Sequence, residues 1–196
     1  MTDAGAPEPR LIGGNAPVVT VAAGAEFYRS HHANFGPVYF GRGPTYRFDD
    51  PAGAYGVLYA ALQLEGAFAE THLRKPGRRY VDRADLAVRR WSRLLTTREL
   101  RLLPLHGRYL AQAGATAEVT QGPADRYELP RRWSSAIHAA GFDGIEYRSR
   151  HDDDQLCVAL FEHRDPPVVA SGPPNEWLSN VRVLARILDR YNIELG

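Results

Sequence analysis

The sequence predicts a single α+β domain in which short strands and helices are interspersed. Three observations predict it. The chain has 196 residues, 44% hydrophobic and 24% charged, the balance of one globular unit with its own core. Short runs at 26–32, 55–61, 99–105, 144–149 and 156–162 read as strands, by side-chain alternation or by an unbroken apolar stretch. Longer runs at 62–73, 129–140 and 176–191 read as helices.

Residues 1–24 are rich in Ala, Pro and Gly and read as a mobile arm, with a short extended piece at 17–22. In the strand at 26–32, Phe27 and Arg29 share one face, and Tyr28 and Ser30 the other. Residues 34–44 are dense in glycine and proline and read as a surface loop with a short strand at 38–40. The stretch 46–70 is the expected working centre, a loop followed by the strand at 55–61 and the helix at 62–73. It gathers an arginine, tyrosines and carboxylates at a strand-to-helix junction, where polar groups converge on one cleft.

The segment 74–93 carries eight basic residues, seven of them arginine. It reads as a solvated face, with a strand and turn at 80–88. Only Tyr80 and Trp91 intervene, so the aromatic interleaving of a nucleic-acid surface is missing. A strand pattern at 99–105 is followed by a helix or turn at 106–113 and a loop at 115–125. The helix at 129–140 has Trp133, Ile137 and Ala140 as its apolar stripe, Pro130 near its start and Gly141 at its stop. The unbroken apolar run 156–162 predicts a strand buried on both faces. Pro166, Pro167, Pro173 and Pro174 mark a linker. The helix at 176–191 carries a stripe of Trp177, Val181, Leu184, Leu188 and Tyr191.

The formal net charge is +1, which gives no bulk attraction to nucleic acid or an anionic membrane. Cys157 is the one cysteine, so no internal disulfide forms, as suits a reducing cytoplasm. No apolar run nears the ~18 residues that cross a bilayer, and the N-terminus lacks a signal-peptide pattern.

Most familiar site patterns are missing. Gly41-Arg-Gly43 lacks the spacing of a phosphate-binding loop, and no serine elbow of the Gly-x-Ser-x-Gly kind occurs. Adjacent His31 and His32 point apart on a strand, and His151-Asp-Asp-Asp154 reads as a solvated turn, so no metal is expected. Glu65 and Glu70 lie five residues apart, roughly 140° around a helix, so they do not share one substrate atom. Glu70 is the better cleft candidate. Buried there, its carboxylate needs a cation, and Arg29 or Arg47 is the natural partner, as a structural or a catalytic pair.

Phe27-Tyr-Arg29, Tyr46-Arg-Phe-Asp49, Gly56-Val-Leu-Tyr-Ala-Ala61, Ala67-Phe-Ala-Glu70, Gly141-Phe-Asp-Gly-Ile-Glu-Tyr-Arg-Ser149 and Cys157-Val-Ala-Leu-Phe161, in this order and spacing, together resemble the RES domain family. The resemblance runs from about Glu26 to Glu162. It implies a flexible arm at 1–24, a RES domain at 25–165, and a linker with an amphipathic helix at 166–196. It implies one compact domain with a mixed or antiparallel sheet similar to that of ADP-ribosyltransferase toxins, flanked by helices. It further implies a cytoplasmic toxin, paired with an antitoxin that carries a helix-turn-helix DNA-binding domain, that cleaves the nicotinamide–ribose bond of NAD⁺ by hydrolysis or phosphorolysis. ADP-ribosylation of a host protein is the alternative activity, and a non-catalytic interaction domain the alternative of another class. No metal, membrane or direct nucleic-acid contact is implied; assembly is expected with the antitoxin or with further copies of the chain.

The family's arginine, tyrosine and glutamate fall on Arg29, Tyr59 and Glu70, with Arg47 as a second arginine. The family serine falls on Ser149 or Ser134. In these roles Arg29 and Arg47 hold the pyrophosphate, and Tyr46 or Tyr59 stacks on the nicotinamide. Glu70 stabilises positive charge developing on the ribose, and a serine orients an amide or phosphate. One departure from protein-modifying relatives stands out. Phe68 occupies the place, two before Glu70, where an acceptor-activating Glu or Gln is common.

Overall fold

A computed structural model of the protein describes residues 15–163 and 167–196. Residues 1–14 of the arm and Pro166 of the linker lie outside the described residues.

Among the described residues the strands are β1 (Val19–Val21), β2 (Glu26–His32), β3 (Val57–Ala61), β4 (Tyr80–Val81), β5 (Arg89–Thr96), β6 (Leu100–Leu105), β7 (Gly144–Arg148), β8 (Leu156–Phe161), β9 (Val169–Ser171), β10 (Asn175–Glu176) and β11 (Glu194–Leu195). The helices are α1 (Leu64–His72), α2 (Arg83–Ala87), α3 (Arg108–Gln112), α4 (Glu118–Gln121), α5 (Glu128–Ala139) and α6 (Val181–Tyr191). Nine strands build one sheet in the order β1-β6-β7-β8-β3-β2-β5-β10, with β9 also on β5. Only β6 and β7 run parallel within it, so the fold is α+β with a mixed sheet.

The sheet is apolar on both sides. On β8, Cys157, Ala159 and Phe161 enter a core closed by Trp133 and Ile137 of α5. Val158 and Leu160 enter a second core with Phe27, Leu58 and Leu94. The unbroken apolar run therefore has the two-sided burial expected of it. A third cluster joins Leu64 and Phe68 of α1 to Leu86, Trp177, Leu184 and Ile187.

Several elements differ from the sequence reading. The arginine-rich segment hides β5, the long partner of β2, which pairs with it from Glu26↔Leu95 to His32↔Arg89. Its arginines are tied off by carboxylates, Arg89 by Asp85 (2.9 Å), Arg90 by Glu176 (3.0 Å) and Arg93 by Glu26 (2.8 Å). Charge thus masked a strand whose buried side is Ser92, Leu94 and Thr96. The loop at 34–44 forms a single bridge, Gly41 with Val57, instead of a strand at 38–40. The linker contributes β9 and β10 to the sheet edge. The last helix starts at Val181, because Glu176 is already held in β10. Trp177 is fully buried outside the helix, whereas Val181 is 68% exposed and drops out of the stripe. Ala140 is likewise exposed, past the end of α5.

Candidate active site

The sheet opens between β2 and β3. These strands pair only at Tyr28 with Ala61, while Arg29–His32 continue along β5 and β3 continues along β8. The working stretch 46–70 lies at this opening, with β3 as its wall, α1 on one side and the loop before β3 on the other.

Side chains hold that loop, since its backbone lacks a ladder. Asp49 Oδ2 accepts the N–H groups of Thr45 (3.0 Å) and Tyr46 (2.7 Å). Its Oδ1 accepts the Tyr59 hydroxyl (2.9 Å), which in turn accepts the Phe48 N–H (2.9 Å). Burial and the Asp49 carboxylate raise the Tyr59 pKa well above 10, so its phenol stays protonated. From α5, Ser134 Oγ donates to the Phe48 carbonyl (2.6 Å) and lies 3.1 Å from the Tyr55 hydroxyl. Arg131 donates to the carbonyls of Tyr46 (3.2 Å) and Pro44 (2.5 Å).

This scaffold presents Arg47. The residue is 7% exposed, and its Nε and Nη1 are buried without a hydrogen-bond partner. Its guanidinium carbon lies 5.6–5.9 Å from the ring centres of Tyr147, Phe48 and Tyr127. Rings supply attraction but no acceptor, so the guanidinium keeps free donors in a low-dielectric setting.

Glu70 comes from α1. Its Oε1 is also buried without a partner. Gly66, one turn earlier on the same helix face, fixes where that face points. A Cβ there would lie 2.9 Å from Ala61 Cβ and 3.2 Å from Gln155 Cβ. The helix therefore presses on the β7–β8 hairpin, and Glu70 faces the same hairpin. Its charge acts on three hairpin residues. Burial first, then Glu70, raises Tyr147 and Cys157 well above their usual values. Burial lowers His151, against the opposing pull of Glu70. Arg47 acts on the same three groups with the opposite sign. A cation and a carboxylate thus flank one hairpin, each with polar atoms unsatisfied.

The other expected residues take different positions. Tyr46 is about half exposed. It meets Tyr59 edge-on at 5.6 Å and lies under Arg74 at 5.6 Å, whose Nε donates to the Glu70 carbonyl (2.6 Å). Arg29 donates from Nη1 to the carbonyls of Pro37 (3.0 Å) and Tyr39 (2.9 Å). Burial lowers it to about 10, and the nearby Tyr46 and Tyr39 hydroxyls oppose that fall. It stays charged at neutral pH and braces the loop after β2. Ser134 is fully buried and serves the Arg47 loop. Ser149 Oγ accepts the N–H groups of His151 (3.1 Å) and Asp152 (3.3 Å) and shapes the hairpin turn. Glu65 pairs with Arg186 of α6 (2.9 Å), away from Glu70. Phe68 is fully buried against Trp177 and His72, which makes it a core residue.

Sequence reasoning missed Asp49, Arg74 and His151. Asp49 carried no standard turn signal, because its carboxylate reaches back to the N–H groups of Thr45 and Tyr46 and not two residues on as in an Asx-turn. His151 had no local signal, because its place depends on the hairpin meeting α1. Among the described residues no three His, Cys, Asp or Glu side chains gather as metal ligands, and no helix is long and apolar enough to cross a membrane.

The family model of the RES domain matches residues 23–181. Among solved structures, the crystal structure of the M. tuberculosis MbcT–MbcA toxin–antitoxin complex contains a chain that is similar with a TM-score of 0.62 and 14% identity. The match covers 79% of this chain and 85% of that chain; at that identity the likeness is one of fold. No curated protein matches the sequence significantly.

Proposed function

The chain belongs to the RES domain family, and from that premise we propose that it is the toxin of a bacterial toxin–antitoxin pair, acting in the cytoplasm by breaking the nicotinamide–ribose bond of NAD⁺. One observation carries the reading. Arg47 and Glu70 flank the same hairpin, and each keeps a buried polar atom with no partner. Unsatisfied buried donors and acceptors are costly, and a ligand that satisfies both must bring acceptors to Arg47 and a hydrogen-bond donor to Glu70, as the phosphate oxygens and ribose hydroxyls of NAD⁺ do. NAD⁺ carries a pyrophosphate beside a cationic nicotinamide–ribose.

In this reading Arg47 offers Nε and Nη1 to a phosphate oxygen as charge-assisted donors. Tyr46 offers an exposed face to the nicotinamide ring, held in place by Tyr59 and Arg74. Glu70 stabilises the positive charge that grows on the ribose as the bond to nicotinamide lengthens. Arg29 holds the loop that borders the opening. Ser134 positions Arg47, and Ser149 positions the turn opposite Glu70. Phe68, in the core, leaves no acid two residues before Glu70, which argues against transfer to a protein arginine.

The partner proposed is an antitoxin with a helix-turn-helix domain, which blocks the opening by presenting a carboxylate to Arg47. The solved relative of the same fold comes from a toxin–antitoxin complex.

The test is the fate of labelled NAD⁺ with and without phosphate. Expected are free nicotinamide and ADP-ribose, or ADP-ribose 1″-phosphate, and a loss of about 10²–10³-fold in Glu70→Gln. No nicotinamide release in water, phosphate or a lysate would leave a non-catalytic binding domain. An ADP-ribose mass on a lysate protein would move the activity to protein modification.

A further inference from the structure

The C-terminal segment reaches back to the candidate site. Leu184 and Ile187 of α6 are buried in one cluster with Leu64 and Phe68 of α1. At the end of α6, Asn192 takes the left-handed conformation (φ 49°), which asparagine tolerates better than most residues. It turns the chain into β11, which pairs with β4. Tyr191 is thus fixed by the packed helix before it and the strand pairing after it. It lies beyond the stretch matched by the family model.

Tyr191 joins two elements of the site. Its ring stacks on Phe68 of α1, 6.2 Å between centres and 7° between planes. Its hydroxyl donates to Asp152 Oδ2 in the β7–β8 turn (2.7 Å), with the Glu65 carbonyl of α1 at 3.2 Å as second acceptor. Asp152 is itself built into the turn. Its carbonyl accepts the Gln155 N–H (2.9 Å), its N–H donates to Ser149 Oγ (3.3 Å), and its Oδ1 accepts the Asp154 N–H (3.1 Å). Glu65 is followed by Gly66, where α1 presses on Gln155. The hydroxyl therefore spans α1 and the hairpin where they touch, one turn before Glu70.

The touching surfaces alone do not fix the helix. Contact through a glycine is not directional, so α1 can slide or tilt against Gln155. Glu70 Oε1 has no hydrogen-bond partner of its own, so its place follows from that of the helix. Two ion pairs tie α6 to the same elements, Arg186–Glu65 (2.9 Å) and Arg190–Asp152 (3.6 Å). Both use exposed arginine side chains, which water screens. The phenol bond is partly buried and angle-dependent, and it sets the depth and tilt of α1.

We propose that Tyr191 is a positioning residue of the site, whose hydroxyl, held between Asp152 and the Glu65 carbonyl, sets where α1 places the Glu70 carboxylate. The inference rests on the NAD⁺-cleaving reading above. Charge stabilisation needs the carboxylate where the ribose charge develops, and a misplacement of about 1 Å costs up to about 100-fold.

The test is nicotinamide release by wild type, Tyr191→Phe, Asp152→Ala, the double variant and Arg186→Ala, each assayed below its melting range. Tyr191→Phe keeps the ring on Phe68 and loses the hydroxyl. Its kcat should fall about 10-fold, with KM for NAD⁺ within about twofold of wild type. In the Asp152→Ala background the same change should cost less than about twofold, because the span is already cut. Arg186→Ala should keep kcat within about twofold, as an exposed pair should. A Tyr191→Phe variant with wild-type kcat would overturn the assignment, as would a loss confined to KM. So would the full loss recurring in the Asp152→Ala background, or an equal loss in Arg186→Ala. A wild type that releases no nicotinamide in water, phosphate or a lysate would instead overturn the reading of the site, and this role with it.

Discussion

Arg47→Met should make the free protein more stable and the site useless. Arg47 is 7% exposed, with Nε and Nη1 of its guanidinium buried and unpaired. Each unsatisfied donor costs about 1–3 kcal/mol. The three rings return about 0.5 kcal/mol each, because at 5.6–5.9 Å they lie at the far end of effective cation–π range. Methionine keeps most of the stem's volume and adapts to the space. The net gain is about 2 kcal/mol, and a domain of this size should show it as about 4–8 °C in Tm. Binding should move the other way. Two charge-assisted hydrogen bonds at about 1.5–3 kcal/mol each correspond to at least ~100-fold in Kd. Thermal scans with and without NAD⁺ read both effects in one experiment. Wild type at ~100 Kd should gain about 2.7 kcal/mol, and the variant no more than about 0.4 kcal/mol at the same concentration. A variant that melts below wild type would show that the guanidinium is structural. A variant stabilised by NAD⁺ as much as wild type would remove Arg47 from the site.

Ser134→Ala removes the donor to the Phe48 carbonyl (2.6 Å) and the partner of Tyr55. It should lower urea-unfolding stability by about 1–3 kcal/mol and raise KM for NAD⁺ more than it lowers kcat; an unchanged midpoint and KM would refute its anchoring role. Stability should also fall on the acid side. Burial pushes His72 from 6.5 down to about 4, despite its hydrogen bond to Asp85 (2.9 Å). Between those values the unfolded chain binds a proton at His72 and the folded protein does not. Stability therefore falls as pH drops through that window, by about 2 kcal/mol between pH 7.5 and 5. Urea midpoints across that range should show the slope, and His72→Gln should reduce it.

Sequence alone determined the local content of this protein. The apolar run of β8, the amphipathic pattern of α5 and the strand–helix order of 46–70 are set by side-chain periodicity, which needs no knowledge of distant partners. The same stretch placed Arg47, Tyr59 and Glu70 on adjoining elements, and the ordered motifs carried the family. Where a strand's signal was polar, it was lost. β5 is a long strand next to the sheet edge and is written in arginine, legible only through the carboxylates of Glu26, Asp85 and Glu176 that neutralise it. The tertiary structure decided which groups meet. It turned Glu70 to the β7–β8 hairpin, some 80 residues on in the chain, through the close approach of Gly66 to Gln155. It also left Arg47 and Glu70 with unsatisfied atoms. Periodicity says which face of an element is apolar; only packing between elements says which charged groups are buried together and which lack a partner.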